Sequence, residues 1–224
     1  MKILFLNCAG RKNEYVNSYI KKNNIDIAIL AESKNIRNKM SREYKNSFIS
    51  THNYGISIIT NQKIKVSEVD YIINDDELKK LINIDNQKER ILDISIKNYH
   101  ILAVHIDYGF YNLFAMNAIN EYLKNHKIDI IIGDFNSGYL NDNLDYKNGG
   151  ILFQNGYLYF RNYEDMGYVN MKKNCGIYSF ESKKSKRKFR IDHCFVKDKK
   201  VNVEYIDEFL ELKVSDHKGI LLEL

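Results

Sequence analysis

The chain has 224 residues, of which 44% are hydrophobic and 28% are charged. The length suits a single folded domain over residues 1–224, and the composition is that of a globular chain and not of a disordered one. Its net charge of +5 suits a polyanionic partner. The first apolar run, ILFL, is too short for a signal peptide, and no run approaches the roughly 18 residues of a membrane span. We therefore expect a cytoplasmic protein that does not bind membranes.

Short strands and a few helices are predicted in alternation along the chain. Amphipathic spacing predicts helices over 13–24 and 113–126, whereas 139–180, rich in Asn, Gly and Tyr, is predicted to be irregular. Apolar and alternating runs predict strands at 2–7, 25–32, 54–60, 89–96, 99–106, 128–136 and 189–197, with a last strand inside 215–224. The pattern favours a layered α/β fold in which helices cover one or two sheets.

Polar residues that can bind metals or move protons stand where the predicted strands end or begin. Asn7 closes the first strand, Glu32 the second and His105 the strand at 99–106. The other members are Asp134 and Asn136 after IIIG, Asp192 within FRIDHCFV, and the Asp216-His217 pair that opens the last strand. A rigid sheet with converging strand ends can hold such groups in fixed geometry, which predicts an active site there.

Three of these residues suit a hard cation. Glu32, with Asn7 and Asp216, can offer the oxygen ligands that Mg²⁺ prefers. The three cysteines, Cys8, Cys175 and Cys194, show neither pairing nor metal-type spacing. This argues against structural zinc and favours free thiols in a reducing compartment.

The other residues suit proton transfer at a phosphate. Asp134 and Asn136, at i and i+2 of a strand, are expected to point to the same side, one to orient a water and one to donate hydrogen bonds. Asp192 and His217 can form a dyad in which the carboxylate fixes the imidazole tautomer. His193 is the weaker candidate because strand alternation points it away from Asp192.

Each residue taken alone also has an ordinary structural interpretation. Asn7 can be a turn residue, Glu32 a solvated strand end and His105 a hydrogen-bonded core histidine. GDFN can be a strand exit with an Asx turn, and Asp216-His217 a surface pair. The recurrence of such features at successive strand ends favours the functional interpretation.

The motifs and their order resemble the endonuclease/exonuclease/phosphatase superfamily, which includes exonuclease III-type apurinic endonucleases and deoxyribonuclease I. The motifs that carry the resemblance are spread over nearly the whole chain. They are FLNCAG, LAESK, YGISIIT, VHIDY, GDFN, FRIDHCFV and SDHKGI. The specific members are GDFN, RID and SDH in this order and spacing. The family resemblance implies a four-layered α/β sandwich, in which two packed mixed β-sheets are flanked by helices.

By position, the resemblance implies that Glu32 is the main metal ligand and that Asn7 and Asp216 complete the site. The implied cofactor is Mg²⁺, with Mn²⁺ as a plausible substitute, and the implied reaction is metal-assisted hydrolysis of a phosphoester.

The resemblance also implies roles for five catalytic residues. Asp134 would orient or deprotonate the attacking water, and Asn136 would bind the scissile phosphate. Asp192 and His217 would form the dyad that contacts the phosphate. His105 would contact the phosphate or help to protonate the leaving oxygen.

Three departures from the family pattern weaken assignment to an abasic-site enzyme. Ala9 stands where apurinic endonucleases often carry an acidic residue. SDHKG lacks the usual proline, and YSF, residues 178–180, replaces a tryptophan-bearing segment. None of these changes removes a residue of the hydrolytic core.

A basic run and an aromatic segment bear on the substrate. The basic run KKSKRKFR, from Lys183, leads into the presumed catalytic strand and shares Arg190 with the RID motif. Its Lys186, Arg187, Lys188 and Arg190, together with Arg11, are predicted to hold substrate phosphates. The alternative for the run is a solvated hairpin turn. The aromatic segment at 156–168 can supply stacking surface for bases or form a helix packed on the sheet.

The sequence therefore predicts a Mg²⁺-dependent nuclease that acts on nucleic acid, with DNA favoured, in repair or degradation and without an obligate protein partner. One alternative is a phosphoesterase for inositol phosphates, lipids or other small phosphoesters. Another is a catalytically silent binding protein on the same scaffold.

Overall fold

The computed structural model describes residues 1–11, 14–33, 40, 43–70, 87–109, 111–139, 156–171 and 178–224. The helices within these residues are α1 (Glu14–Lys22), α2 (Tyr111–Asn125), α3 (Tyr157–Asp165) and α4 (Glu208–Glu211). The strands are β1 (Lys2–Asn7), β2 (Ile27–Ala31), β3 (Ile56–Thr60), β4 (Lys65–Glu68), β5 (Ile91–Ile96), β6 (Tyr99–His105), β7 (Ile130–Asp134), β8 (Val169–Asn170), β9 (Phe180–Glu181), β10 (Lys188–Phe189), β11 (Asp192–Val196), β12 (Asn202–Ile206) and β13 (Gly219–Glu223).

Most of the strands form two mixed sheets. Sheet I has the order β12-β13-β1-β2-β3, and sheet II has the order β4-β5-β6-β7-β11-β8. The pairs β1–β2 and β6–β7 are parallel, whereas the other named pairs are antiparallel. Strands β9 and β10 form a separate antiparallel hairpin. In both sheets, a parallel pair therefore lies at the centre, where strand ends can share one edge.

The two sheets pack face to face, and helices cover their outer faces. Alternation sends Ile3 and Phe5 of β1 into the core between the sheets, while Leu4 and Leu6 face the helix side. Helices α1 and α4 cover sheet I, and α2 and α3 cover sheet II through residues such as Val16, Phe209, Ile119 and Phe160. The predicted four-layered sandwich is confirmed.

The predicted strands are all present, with ends that move by a few residues. The irregular assignment of 139–180 is wrong for α3, where Phe160 and Tyr163 are fully buried against sheet II, so the helix interpretation of the aromatic segment is correct. Strands β4 and β12 were missed because exposed polar residues interrupt them. Residues 140–155 and 172–177, including Cys175, lie outside the described residues.

The two cysteines within the described residues are free thiols, as predicted. Cys8 and Cys194 are free and buried, and burial raises the pKa of both far above the usual value. Among the described helices, none is both long enough and apolar enough to cross a membrane.

Candidate active site

The strand ends singled out in the sequence converge at one edge of the two-sheet interface. Asn7 is the last residue of β1, and Glu32 directly follows β2, whose last residue pairs with Asn7. In sheet II, Asp134 at the end of β7 pairs with His105 of β6 on one side and Asp192 of β11 on the other. A cleft of about 610 Å³ opens there. The predicted residues that line it are Asn7, Glu32, His105, Asp134, Asn136, Asp216 and His217.

Three side-chain contacts join the sheets across this edge. Asn7 Nδ2 lies 3.0 Å from Asp134 Oδ2, and His217 Nδ1 lies 3.0 Å from Asp192 Oδ2. A third contact pairs Glu32 with His105. In each pair one residue comes from an end of sheet I and the other from sheet II, so the site depends on how the sheets dock.

The run IIIGD fixes Asp134 in the floor of the cleft. Residues 130–134 are all buried, and the isoleucines anchor β7 between its neighbours. At Gly133 a Cβ would lie 1.9 Å from the carbonyl oxygen of Val104. Only glycine therefore allows β6 and β7 to approach here and deliver Asp134 beside His105.

Asn136 lies next to Asp134, although not for the predicted reason. Strand β7 ends at Asp134, and Asn136 has a φ of +45°, so strand alternation does not orient it. Instead, its backbone N–H donates to Asp134 Oδ1 at 2.8 Å, as in an Asx turn. Its Nδ2 lies 2.7 Å from the carbonyl oxygen of Ile106 and 3.5 Å from Asp134 Oδ2. The turn that looked like an ordinary alternative is what brings the two side chains together.

The pKa of the buried Asp134 carboxyl is raised toward neutral pH. Asp134 is 1% exposed. Burial raises its pKa, and the charge of Asp192 raises it further, while His217, His105 and the Asn136 N–H partly oppose this, leaving the pKa at about 6. A carboxylate with such a pKa can lose and regain a proton near neutral pH.

Asp192 and His217 form the expected pair, and a serine completes it. The Oγ of Ser179 donates to Asp192 Oδ2 at 2.8 Å and itself accepts from the Asp192 N–H at 3.0 Å. Burial lowers the pKa of His217, but Asp192, Asp134 and the charge of Asp216 outweigh it and raise the pKa to about 10. His217 is therefore an imidazolium, with its Nε2 lying 3.9 Å from Asp134 Oδ2.

Glu32 and His105 form a second pair at the cleft. His105 Nε2 lies 3.3 Å from Glu32 Oε1, and His105 Nδ1 lies 2.6 Å from the carbonyl oxygen of Tyr54. Burial raises the pKa of Glu32, but the hydrogen bonds and charge of His105, with help from Asn7 and His217, lower it to about 2. Both ring nitrogens of His105 are thus occupied, and Glu32 is ionised throughout the physiological range.

The sequence matches the model of the endonuclease/exonuclease/phosphatase family over residues 4–217. The chain belongs to the endonuclease/exonuclease/phosphatase family. A search of curated protein sequences found no match.

Solved structures show the same family fold. A 3′-5′ exonuclease from Neisseria meningitidis superposes with a TM-score of 0.74, and an AP endonuclease from Archaeoglobus fulgidus with 0.76. A 3′ phosphatase from Neisseria, bound to product DNA hairpin, superposes with 0.72. Each is 16% identical to this chain, and each match covers 100% of this chain and 99% of the other.

Asp216, in the family motif SDH, has a carboxylate oxygen that is available to bind a metal. Its Oδ2 lies 3.2 Å from Lys183 Nζ and 3.9 Å from Arg11 Nη2. Its Oδ1 is buried and has no hydrogen-bond partner among the described residues. A buried carboxylate oxygen without a donor is costly unless a cation or water meets it, and Glu32, ionised and 27% exposed, lines the same cleft. These donors fit a hard divalent cation.

Asn7, the third predicted metal ligand, is hydrogen-bonded to both neighbouring carboxylates. Its Nδ2 donates to Asp134 and, at 3.4 Å, to Glu32, while its Oδ1 accepts from the Ala9 N–H. In this structure the amide edge that faces the carboxylates is therefore the donor edge, which holds Asp134 and Glu32 in place.

A second group of side chains is also close enough together to hold an ion. Ligand atoms of Asp134, Asp192 and His217 lie within 4.8 Å of one another. The carboxylate of Asp192 is already held by Ser179 and His217, so its oxygens have hydrogen-bond partners without an ion. This cluster suits proton handling better than metal binding.

The predicted basic contacts divide into two groups. Arg11 and Lys186 line a second cleft of about 340 Å³, which shares Lys183 and Asp216 with the first. The run itself forms the β9–β10 hairpin, as the alternative interpretation held. Arg187 is partly exposed in the hairpin loop, where its carbonyl oxygen accepts from Ser182 at 2.8 Å.

Two members of the run are held by the protein. Lys188 Nζ lies 4.4 Å from the centre of the Tyr178 ring and 3.7 Å from Glu181. Arg190 is 4% exposed and lines neither of these two clefts.

Sequence reasoning missed other residues of the site. Ser179 was visible as the hydroxyl of YSF, in a segment already compared with the family pattern. Tyr54, Arg90 and Asp107 also line the cleft, but no local pattern marked Arg90. His193 points away from Asp192, as predicted, and its Nε2 lies 2.8 Å from the carbonyl oxygen of Ser137.

Proposed function

We propose that this protein is a divalent-metal-dependent phosphodiesterase that cleaves nucleic acid, with DNA as the substrate and repair or degradation of DNA as the role. The observation that carries the proposal is the pairing of Asp134, whose pKa is about 6, with the charged imidazole of His217 in an open cleft. A base beside a positively charged imidazole suits attack of water on a phosphate.

Asp134 is the proposed general base. Its ionised form takes a proton from a water in the cleft, and the Asn7 amide and Asn136 N–H hold its two oxygens in place. Fixed hydrogen bonds of this kind keep the base aligned without reorganisation during the reaction.

His217 is the proposed phosphate ligand. Its Nδ1 is bound to Asp192, and Ser179 holds that carboxylate in turn. Nε2, which lies 3.9 Å from Asp134 Oδ2, is therefore the nitrogen proposed to meet the phosphate in the cleft that His217 lines. As an imidazolium, His217 donates a hydrogen bond to a phosphate oxygen and stabilises the negative charge that grows during attack.

Glu32 and Asp216 are the proposed holders of the cation, with Mg²⁺ as its identity and Mn²⁺ as a substitute. When bound, such an ion neutralises phosphate charge and assists the leaving oxygen. Glu32 is kept ionised by His105, and Asp216 offers its unpartnered Oδ1. Oxygen donors without thiolates match the preference of magnesium.

The basic residues beyond the cleft support nucleic acid over a small phosphoester. Lys183 stands at the junction of both clefts, and Arg11 and Lys186 extend the positive surface into the second. A polymer presents further phosphates to such a surface, whereas a small phosphoester does not. One of the structural neighbours, the 3′ phosphatase, is bound to a product DNA hairpin, which agrees with this choice.

The test is cleavage by purified protein with Mg²⁺ on labelled single-stranded DNA, duplex DNA, abasic duplex, RNA and inositol phosphates. We expect cleavage of DNA that EDTA abolishes, and a loss of roughly 10²–10⁴-fold in Asp134→Asn. Asp198→Asn, an exposed position at the far end of β11, is the matched control. Cleavage of inositol phosphates alone would overturn the nucleic-acid assignment, and inactivity on every substrate would indicate a binding protein.

A further inference from the structure

Two exposed tyrosines stand in the hydrolytic cleft without a role in the chemistry above. Tyr54 is 52% exposed and Tyr108 is 64% exposed, and both line the cleft with Asp134 and His217. In the described part of the chain, the other large hydrophobic side chains with comparable exposure are aliphatic, namely Leu158, Val169 and Leu212. Among the described residues, the strongly exposed aromatic side chains therefore lie in the cleft that is proposed to bind the substrate.

Tyr54 is held firmly from two directions. Its carbonyl oxygen lies 2.6 Å from His105 Nδ1, which ties its backbone to the Glu32 pair. The guanidinium of Arg90 lies 5.1 Å from the centre of the Tyr54 ring, within the range of a cation–π contact. Because these two contacts already restrict Tyr54, its ring loses less conformational entropy when it stacks on a ligand, which favours stacking.

Arg90 in turn is anchored by an acidic residue of the same wall. Its side chain is only 2% exposed, and its Nη1 lies 2.6 Å from Asp107 Oδ1. Gln87 Nε2 binds the other Asp107 oxygen at 2.7 Å. This hydrogen-bonded group therefore anchors the arginine that contacts the Tyr54 ring, and it also fixes Asp107, which directly precedes Tyr108 in the chain.

The aromatic wall and the basic residues occupy different parts of the cleft. Lys183 and Asp216 line both clefts, whereas Tyr54 and Tyr108 line only the first. A bound chain can therefore place phosphates toward the lysines of the second cleft while a base meets the tyrosines of the first cleft, which Asp134 also lines.

We propose that Tyr54 and Tyr108 form a stacking platform for an unpaired nucleobase next to the scissile phosphate, so that the preferred substrate is single-stranded or locally unpaired nucleic acid. This inference rests on the proposed function and specifies its substrate. In a duplex the faces of a base are covered by its neighbours, whereas an unpaired base presents a free face to an aromatic ring.

The direct test uses a single-stranded oligonucleotide carrying 2-aminopurine, whose fluorescence falls when the base stacks. Binding is measured in EDTA, so that no cleavage occurs, together with a matched duplex. We expect quenching with the wild-type protein, and binding weakened roughly tenfold in Tyr54→Ala and Tyr108→Ala with loss of the quenching. Tyr54→Phe, which keeps the ring, should restore the quenching that Tyr54→Ala loses. Leu158→Ala is the control for loss of an exposed apolar side chain elsewhere.

Cleavage assays with Mg²⁺ separate this inference from the proposed function. We expect the ratio of single-strand to duplex cleavage to fall in both alanine variants. Cleavage of DNA with an unchanged ratio and unchanged quenching would overturn the platform and leave the nuclease assignment standing. Tyrosine-dependent quenching without any cleavage would support the platform and overturn the nuclease assignment. Absence of both binding and cleavage would overturn both.

Discussion

His105 Nε2 lies 3.3 Å from Glu32 Oε1, and the same ring binds the Tyr54 carbonyl through its other nitrogen. This arrangement argues against the role that family analogy suggests for His105, contact with the phosphate or protonation of the leaving oxygen. A histidine with both nitrogens engaged is better suited to hold Glu32 in place and in its ionised form.

We therefore expect His105→Gln to act mainly on metal affinity. Loss of a residue that orients a metal ligand typically weakens metal binding by about 10–100-fold. The Mg²⁺ concentration for half-maximal cleavage should rise by this factor, while kcat at saturating Mg²⁺ stays within about tenfold of wild type. Calorimetric titration with Mg²⁺ checks the affinity independently of activity. His100→Gln, at the exposed opposite end of β6, is the control. A large fall in kcat with unchanged Mg²⁺ affinity would instead favour direct action on the substrate.

The pKa of Asp134 predicts a rising limb in the pH profile. The carboxyl has a pKa of about 6, and only its ionised form can accept a proton, so kcat/KM should fall about tenfold per pH unit below 6. Glu32, with a pKa of about 2, remains ionised there and does not contribute to this limb. The measurement is kcat/KM from about pH 4.5 to 8.5 at saturating Mg²⁺. A flat profile across pH 6 would contradict the assignment of Asp134 as base.

The Asp192–His217 pair predicts a shift that NMR can follow. Asp192 stabilises the protonated imidazole, which raises the pKa of His217 to about 10. Asp192→Asn removes that charge, so the pKa of His217 should fall toward the ordinary value for histidine. The imidazole resonances of His217 in wild type, Asp192→Asn and the control Asp198→Asn give the comparison. If the pKa of His217 is the same in all three proteins, its charge has another source.

The two clefts predict which lysines meet the substrate. Lys183→Gln/Lys186→Gln should weaken DNA binding and reduce the slope of log affinity against log salt by about 0.7 for each phosphate of a single strand that the variant no longer neutralises. The control is Lys97→Gln/Lys200→Gln, which removes two exposed charges at the ends of β6 and β11 away from the cleft. Fluorescence anisotropy in EDTA at about 50–200 mM salt measures the slope. Equal slopes in both double variants would mean that Lys183 and Lys186 do not contact DNA phosphates and that the hairpin is only a solvated turn.

Much of the site could be predicted because its residues follow buried strands in a fixed order. Asn7, Glu32, Asp134 and His217 all lie in one cleft, as their positions at strand ends indicated. The sequence does not predict which atoms of these residues are in contact. The contact between Asn7 and Asp134, for example, joins residues 127 positions apart and depends on how the two sheets dock.

The conformation at Asn136 and the burial of Arg190 could not be predicted either, because both depend on tertiary structure. Asn136 reaches Asp134 through a turn with positive φ, whereas strand alternation was assumed. Arg190 belongs to a basic run by sequence, but its side chain is buried, because β10 leads directly into the buried β11. A charge run does not reveal which of its members turn inward, and that depends on the sheet beneath.

The hydrogen bond between Asn7 and Asp134 joins the facing sheets at 3.0 Å. The interlayer core, including Ile94 of sheet II and Phe5 of sheet I, therefore acts as a spacer that sets catalytic distances, although neither side chain lines the cleft. A change of about 1 Å in the placement of reacting groups can lower a rate by about 100-fold. Substitutions that change the volume of this interlayer core are therefore expected to lower the rate even though they lie outside the cleft.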